Sequence, residues 1–132
     1  MTELIVKSNQ NARASLHLFD NHKVYAPVIH CAYYSCVQRI LHILLTLGGK
    51  TEQDIKGVST RGSLHTFLID EMRKLIQKQN PASFKTFSKI SDLRTLRVKS
   101  DYLNVSVDYD DADKATRIAQ QINDTLDKTF KV

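Results

Sequence analysis

Between Pro27 and Gly48 the chain reads VIHCAYYSCVQRILHILLTL, twenty residues in which Arg39 is the only formal charge. A run of that length nearly suffices to cross a bilayer. Gln38 and Arg39 stand at its middle, however, with His30 and His42 to either side, and polar groups at that depth are expensive in lipid. The run therefore reads as the core helix of a soluble protein. Ile29, Tyr33, Val37, Ile40, Leu44 and Leu47 make one seam at helical spacing, and Val28, Cys31, Ala32, Cys36, Ile43 and Leu45 cover much of the remainder. A helix apolar on most sides needs neighbours on most sides, so the rest of the chain must wrap around it. Its start falls at Tyr25 to Pro27, since proline suits a first turn, and Gly48-Gly49 stops it after Leu47.

The other segments supply those neighbours. A first helix is expected within Glu3 to Phe19, with Ile5, Ala12, Leu16 and Phe19 on one face, followed by a turn at Asp20-Asn21-His22. Lys50 to Thr60 is polar and without period, and reads as a loop bending at Gly57. Ser59 to Ser63 offers caps for a third helix carrying Leu64, Phe67, Leu68, Met72, Leu75 and Ile76, which Asn80-Pro81 ends. Phe84, Phe87, Ile90, Leu93 and Leu96 carry a fourth helix to about Tyr102. Leu103 to Val107 alternates too briefly for a strand and is expected to pack its apolar members down as a loop. Asp110 or Asp111 then caps a last helix with the face Ala115, Ile118, Ala119, Ile122, Leu126 and Phe130. The expectation is an all-α, up-and-down bundle of four to five helices, one domain over residues 1–132. With 42% hydrophobic and 25% charged residues, the composition is that of an ordinary globular protein, so disorder is not the default expectation.

The fourth helix ends unlike the others. Ile90, Leu93, Arg97 and Asp101 fall within one stripe at roughly 100° per residue, so an apolar face turns charged at its end. Arg97 and Asp101, four apart, can form an ordinary ion pair, or the aspartate can hold the arginine toward a cleft or a partner. The net charge of +5 is unevenly spread: Lys56, Arg61, Arg73, Lys74, Lys78, Lys85, Lys89, Arg94, Arg97 and Lys99 outnumber the acids of the middle third, and Asp108, Asp110, Asp111 and Asp113 follow. Such a middle can attract RNA or a nucleotide, although most basic helix faces are merely solvated. Cys31 and Cys36 match neither a redox pair nor a zinc half-site and read as free thiols of a reducing cytoplasm. His17, His22, His30 and His42 make no HxxxH pair, and no glycine-rich phosphate loop occurs, so neither metal nor cofactor is expected. No signal peptide opens the chain, and a cytoplasmic location is expected.

The order of these pieces resembles the HEPN superfamily (higher eukaryotes and prokaryotes nucleotide-binding). Cys31-Ala32-Tyr33-Tyr34-Ser35-Cys36 is similar to the AYYA-like run of that family's second helix, and Arg97-Val98-Lys99-Ser100-Asp101-Tyr102 to its RxxxDY-like fourth-helix end. Ser63-Leu64-His65 precedes Phe67 between them, and the resemblance spans Ala12 to Phe130. It implies a helical bundle that forms a homodimer through the faces bearing the arginine motif. In active members it implies a metal-independent ribonuclease in which a histidine follows the arginine after four to six residues. In related toxin systems it further implies a tyrosine modified by a nucleotidyltransferase-like antitoxin.

Here the histidine positions after Arg97 hold Tyr102, Leu103 and Asn104, and the last histidine of the chain is His65. Two functions follow. One is a non-catalytic or divergent homodimer that binds a nucleotide, RNA or a protein through Arg97, Asp101 and Tyr102. The other is a toxin-type ribonuclease whose proton carrier is His65, brought from the third helix, with Arg97, Asp101 and Tyr102 around it. Arg94, Lys99, Tyr33 and Tyr34 are candidate ligand contacts in either case. In a third, structural reading, Arg97 and Asp101 only fix the register of a dimer.

Overall fold

The computed structural model describes residues 2–132, apart from the side chains of Thr2 and Arg61. It is helical throughout its regular segments, with no strand among the described residues: α1 Thr2–His17, α2 Tyr25–Thr46, α3 Glu52–Arg61, α4 Leu64–Gln79, α5 Phe84–Phe87, α6 Ile90–Tyr102 and α7 Tyr109–Phe130. α2 is the centre of the bundle and packs against α1, α4, α6 and α7. Its length and hydropathy are those of a membrane span, but most of it is enclosed by the other helices. Ile29, Tyr33, Ile40 and Leu44 of the expected seam are buried, as are Val28, Cys36 and Ile43 behind it, while Leu47 lies past the helix end and is exposed. Gly49 takes the left-handed conformation (φ 72°) that ends the helix, and a Cβ on Gly48 would come within 2.9 Å of the Leu44 backbone.

α4, α5, α6 and α7 close the core with Leu68, Met72, Ile76, Phe87, Ile90, Leu93, Ile122 and Leu126. The face expected for the last helix is the buried one throughout. α1 docks differently. Its buried residues are Ser8 and Ser15, whose hydroxyls donate to the backbone carbonyls of Ser35 (2.5 Å) and Val28 (2.9 Å) on α2. Small polar knobs let the two backbones approach closely. The expected apolar face is only partly covered as a result: Leu16 is exposed, and Phe19 sits beyond the helix in a π-type turn, Leu18–His22, against Tyr25 and Tyr109.

Four expectations are corrected. Lys50–Thr60 is not a loop, because Thr51 and Asp54 form a reciprocal capping box that starts α3 (Asp54 N–H to Thr51 Oγ1 3.1 Å, Thr51 N–H to Asp54 Oδ2 2.9 Å). The fourth helix is broken into α5 and α6: the Ser88 hydroxyl donates to the Phe84 carbonyl, and the N–H groups of Lys89, Ser91 and Asp92 bond three residues back, which tightens the turn. Leu103 and Val105 stay exposed, and only Val107 of that segment packs on the core. α7 is capped by Asp108, with Asp111 returning the bond from the third helical position, so the cap lies earlier than Asp110 or Asp111.

Candidate functional site

α2 and α6 cross with Tyr33 and Tyr34 of one facing Arg97 of the other, and at their contact the core becomes polar. Arg97 is 8% exposed, and its guanidinium is held from two sides. Nε donates to Asp101 Oδ2 at 3.0 Å, one turn along α6, while Nη2 donates to the hydroxyls of Tyr34 (3.0 Å) and Tyr102 (2.9 Å). The rings of Tyr33, Tyr34 and Tyr102 stand 5.4, 5.5 and 5.0 Å from the guanidinium carbon, within range of cation–π attraction. Burial opposes the charge, but Tyr34, Tyr102 and Asp101 outweigh it and hold the Arg97 pKa above its ordinary value. Among the described residues Nη1 has no hydrogen-bond partner and is not one of the buried unpaired atoms, so part of its surface reaches solvent.

Two histidines join this cluster. His65, in the first turn of α4, has Nδ1 2.9 Å from the Tyr33 hydroxyl and lies edge-on to Tyr34, ring centroids 5.7 Å apart. Burial lowers its pKa first, and the charges of Arg97 and Arg94 lower it further, so it is kept neutral. Burial also pushes the Tyr33 hydroxyl up to about 12, so that group keeps its proton. The second histidine is His30, which sequence reasoning assigned to no site. Its Nδ1 is 3.0 Å from Asp101 Oδ2, its ring lies 4.7 Å from that of Tyr34, and its side chain is 50% exposed. The Asp101 carboxylate thus bridges Arg97 and His30, and the Tyr34 ring contacts both imidazoles. A signal for His30 was present in the sequence: it precedes Tyr34 by four residues on α2, so both share a helix face.

Of the residues singled out from the sequence, Arg97, Asp101, Tyr102, Tyr33, Tyr34 and His65 come together. Arg94 lies at the margin, donating to Thr66 Oγ1 (3.0 Å) and Ser63 Oγ (3.2 Å) at the start of α4. Lys99 does not join them. Two residues past Arg97 on a helix, it faces away and pairs with Asp111 at 2.9 Å, tying α6 to the cap of α7. Its amine is the first cause of the lowered Asp111 pKa. A groove of about 740 Å³ runs beside the cluster along the next face of α6, lined by Arg73, Arg94 and Lys99 and by the exposed Val98, Leu103 and Val105.

No protein-family model, curated protein or solved structure matches this chain. The site must therefore be read from its own chemistry. A cation with one free edge, tyrosine faces on which a base can stack, and an aspartate–histidine pair within the same few ångströms suit an anionic, aromatic ligand. Among the described residues no group of three histidine, cysteine or acidic side chains could hold a metal. Cys36 is buried, which pushes its thiol up to about 12, and Cys31 is half-buried with its thiol also raised by burial; both are free.

Proposed function

We propose that this chain is an HEPN-like, homodimeric helical domain that binds RNA or a nucleotide through Arg97, Asp101 and Tyr102. The observation that carries the reading is the division of labour on Arg97: Asp101, Tyr34 and Tyr102 engage Nε and Nη2, and Nη1 is left to solvent. A guanidinium fixed in this way is already ordered before a phosphate arrives, so little side-chain entropy is lost on binding. The half-exposed His30 and the 68% exposed Tyr102 offer ring faces to a base beside that phosphate. The basic groove alongside gives a strand somewhere to run. The exposed Val98, Leu103 and Val105, which line the same groove, supply apolar surface on which a second copy would bound the path of the strand.

The test is the affinity of the protein for a labelled single-stranded RNA and for ATP, measured by fluorescence anisotropy at fixed salt. Loss of a charged hydrogen bond is worth about 1.5–3 kcal/mol, so Arg97→Ala should weaken binding about ten- to a hundredfold. Equal affinity in wild type and variant would refute the proposal. A second reading, a metal-independent endoribonuclease of the toxin–antitoxin kind, is favoured by one observation: a histidine does reach the arginine, by way of Asp101.

A further inference from the structure

We propose that His30, oriented by Asp101, is the proton carrier of the Arg97 site; this rests on the endoribonuclease reading. His65 is the candidate histidine from the third helix expected by the sequence, but its surroundings suit that role less well. Burial and then the charges of Arg97 and Arg94 oppose the proton it would have to accept, and its Nδ1 is engaged by the Tyr33 hydroxyl. His30 has the opposite setting. Its Nδ1–H donates to a carboxylate, so the neutral ring carries its lone pair on Nε2. Nε2 has no hydrogen bond among the described residues, and half of the side chain is exposed. Asp101 is itself held by Arg97 Nε, and the Tyr34 ring lies tilted against the imidazole, so the carboxylate sets the tautomer and the two together orient the ring. The same carboxylate places the base beside the guanidinium of Arg97.

The reaction this arrangement serves is transesterification within RNA. Nε2 of His30 takes the proton of a 2′-hydroxyl, and the 2′-oxygen forms a bond to the adjacent phosphorus. The bond from phosphorus to the 5′-oxygen breaks, and that oxygen receives a proton from water, while His30 returns its proton to solvent. The products are a 2′,3′-cyclic phosphate and a 5′-hydroxyl end, with no net consumption of water. Arg97 Nη1 faces the charge that grows on the phosphoryl oxygens. DNA, which lacks the 2′-hydroxyl, is bound but not cut.

The experiment follows cleavage of a labelled RNA in chelator by the wild type, His30→Ala, His65→Gln and Arg97→Ala, alongside binding of the same RNA with 2′-deoxyribose throughout. His30 is exposed, so the alanine variant should fold, which circular dichroism checks. The expected result, at saturating RNA so that any loss of a base-stacking face is compensated, is a His30→Ala rate lower by about 10²–10⁴-fold, with activity partly restored by added imidazole. A His30→Ala rate within about threefold of wild type, or a loss that imidazole does not restore, overturns the role of His30 and leaves the endoribonuclease reading standing. Binding without cleavage by the wild type removes both that reading and the His30 role while the binding site survives. Failure of the wild type to bind or to cut removes all three.

Discussion

Arg39 and Arg97 are almost equally enclosed, at 7% and 8% exposure, yet their surroundings are built to different ends. Arg39 leaves α2 toward α1 and α7, and its partners belong to those helices: Nη1 donates to Ser8 Oγ (3.1 Å), Nη2 to Asn9 Oδ1 (3.1 Å) and Asp127 Oδ2 (3.2 Å). Nε lies 2.9 Å from Asp127 Oδ1 but is not aimed at it, so the contact is an ion pair and not a hydrogen bond. Each of these bonds ties one helix to another. Arg97 draws its charged partner from its own helix, borders three aromatic rings, and keeps one nitrogen in solvent. The first arginine is a fastening between helices; under the function proposed above the second, although it also bonds Tyr34 of α2, is a presented charge. Burial is the same in both, and the origin of the charged partner is what differs.

If that distinction holds, Arg39→Ala is the more damaging of the two arginine changes. It leaves Asp127, Asn9 and Ser8 unmatched and should cost about 2–4 kcal/mol in urea unfolding, somewhat below the usual loss for a buried pair because Asp127 is 36% exposed. Arg97→Ala should cost only about 1–2 kcal/mol, since Asp101 keeps His30 and Ser100, while ligand affinity falls as described above. Equal stability losses at the two arginines would erase the contrast.

Asp127 and His65 give the next, smaller test. Burial raises the Asp127 pKa by more than Arg39 lowers it, so ionised Asp127 is a burden on the fold. Asp127→Asn should accordingly be far milder than Arg39→Ala at neutral pH, and its relative benefit should shrink as pH falls through the carboxylate range. His65 behaves in the opposite sense. Its folded pKa lies below the unfolded one, so its contribution is present above about 6.5 and is lost as pH falls below that value. Melting temperatures at pH 7.5 and 5.5 should therefore draw closer together in His65→Gln than in wild type. The smallest effect on stability, within about 0.5 kcal/mol, is expected for Leu103→Ser with Val105→Ser, because both side chains are exposed. The same pair of changes should shift the proposed dimer toward monomer in analytical ultracentrifugation, and an unchanged association constant would remove this face from the interface.

How much of this was readable in the chain depends on how local the cause is. The central helix, its stop at Gly48-Gly49, the core face of α7 and the Arg97–Asp101 pair all rest on contacts within four residues, and each is where the spacing places it. α3 was readable too, because T-x-x-D is a capping signal, but its few apolar residues hid it. The failure on α1 has another origin: periodic hydrophobicity marks a face that seeks burial, and α1 buries two serines whose hydroxyls meet carbonyls of α2.

The sequence determined the helices, their caps and the placing of an arginine, an aspartate and a tyrosine at the end of α6, because those follow from bonds and sterics between near neighbours. Tertiary packing decided which distant groups meet them. His30 and Asp101 are 71 residues apart, and Arg39 and Asp127 are 88 apart. No periodicity links such residues. They meet only because the apolar faces of α2, α6 and α7 share one core and set the helix axes, which fixes where every polar side chain at the margin must fall.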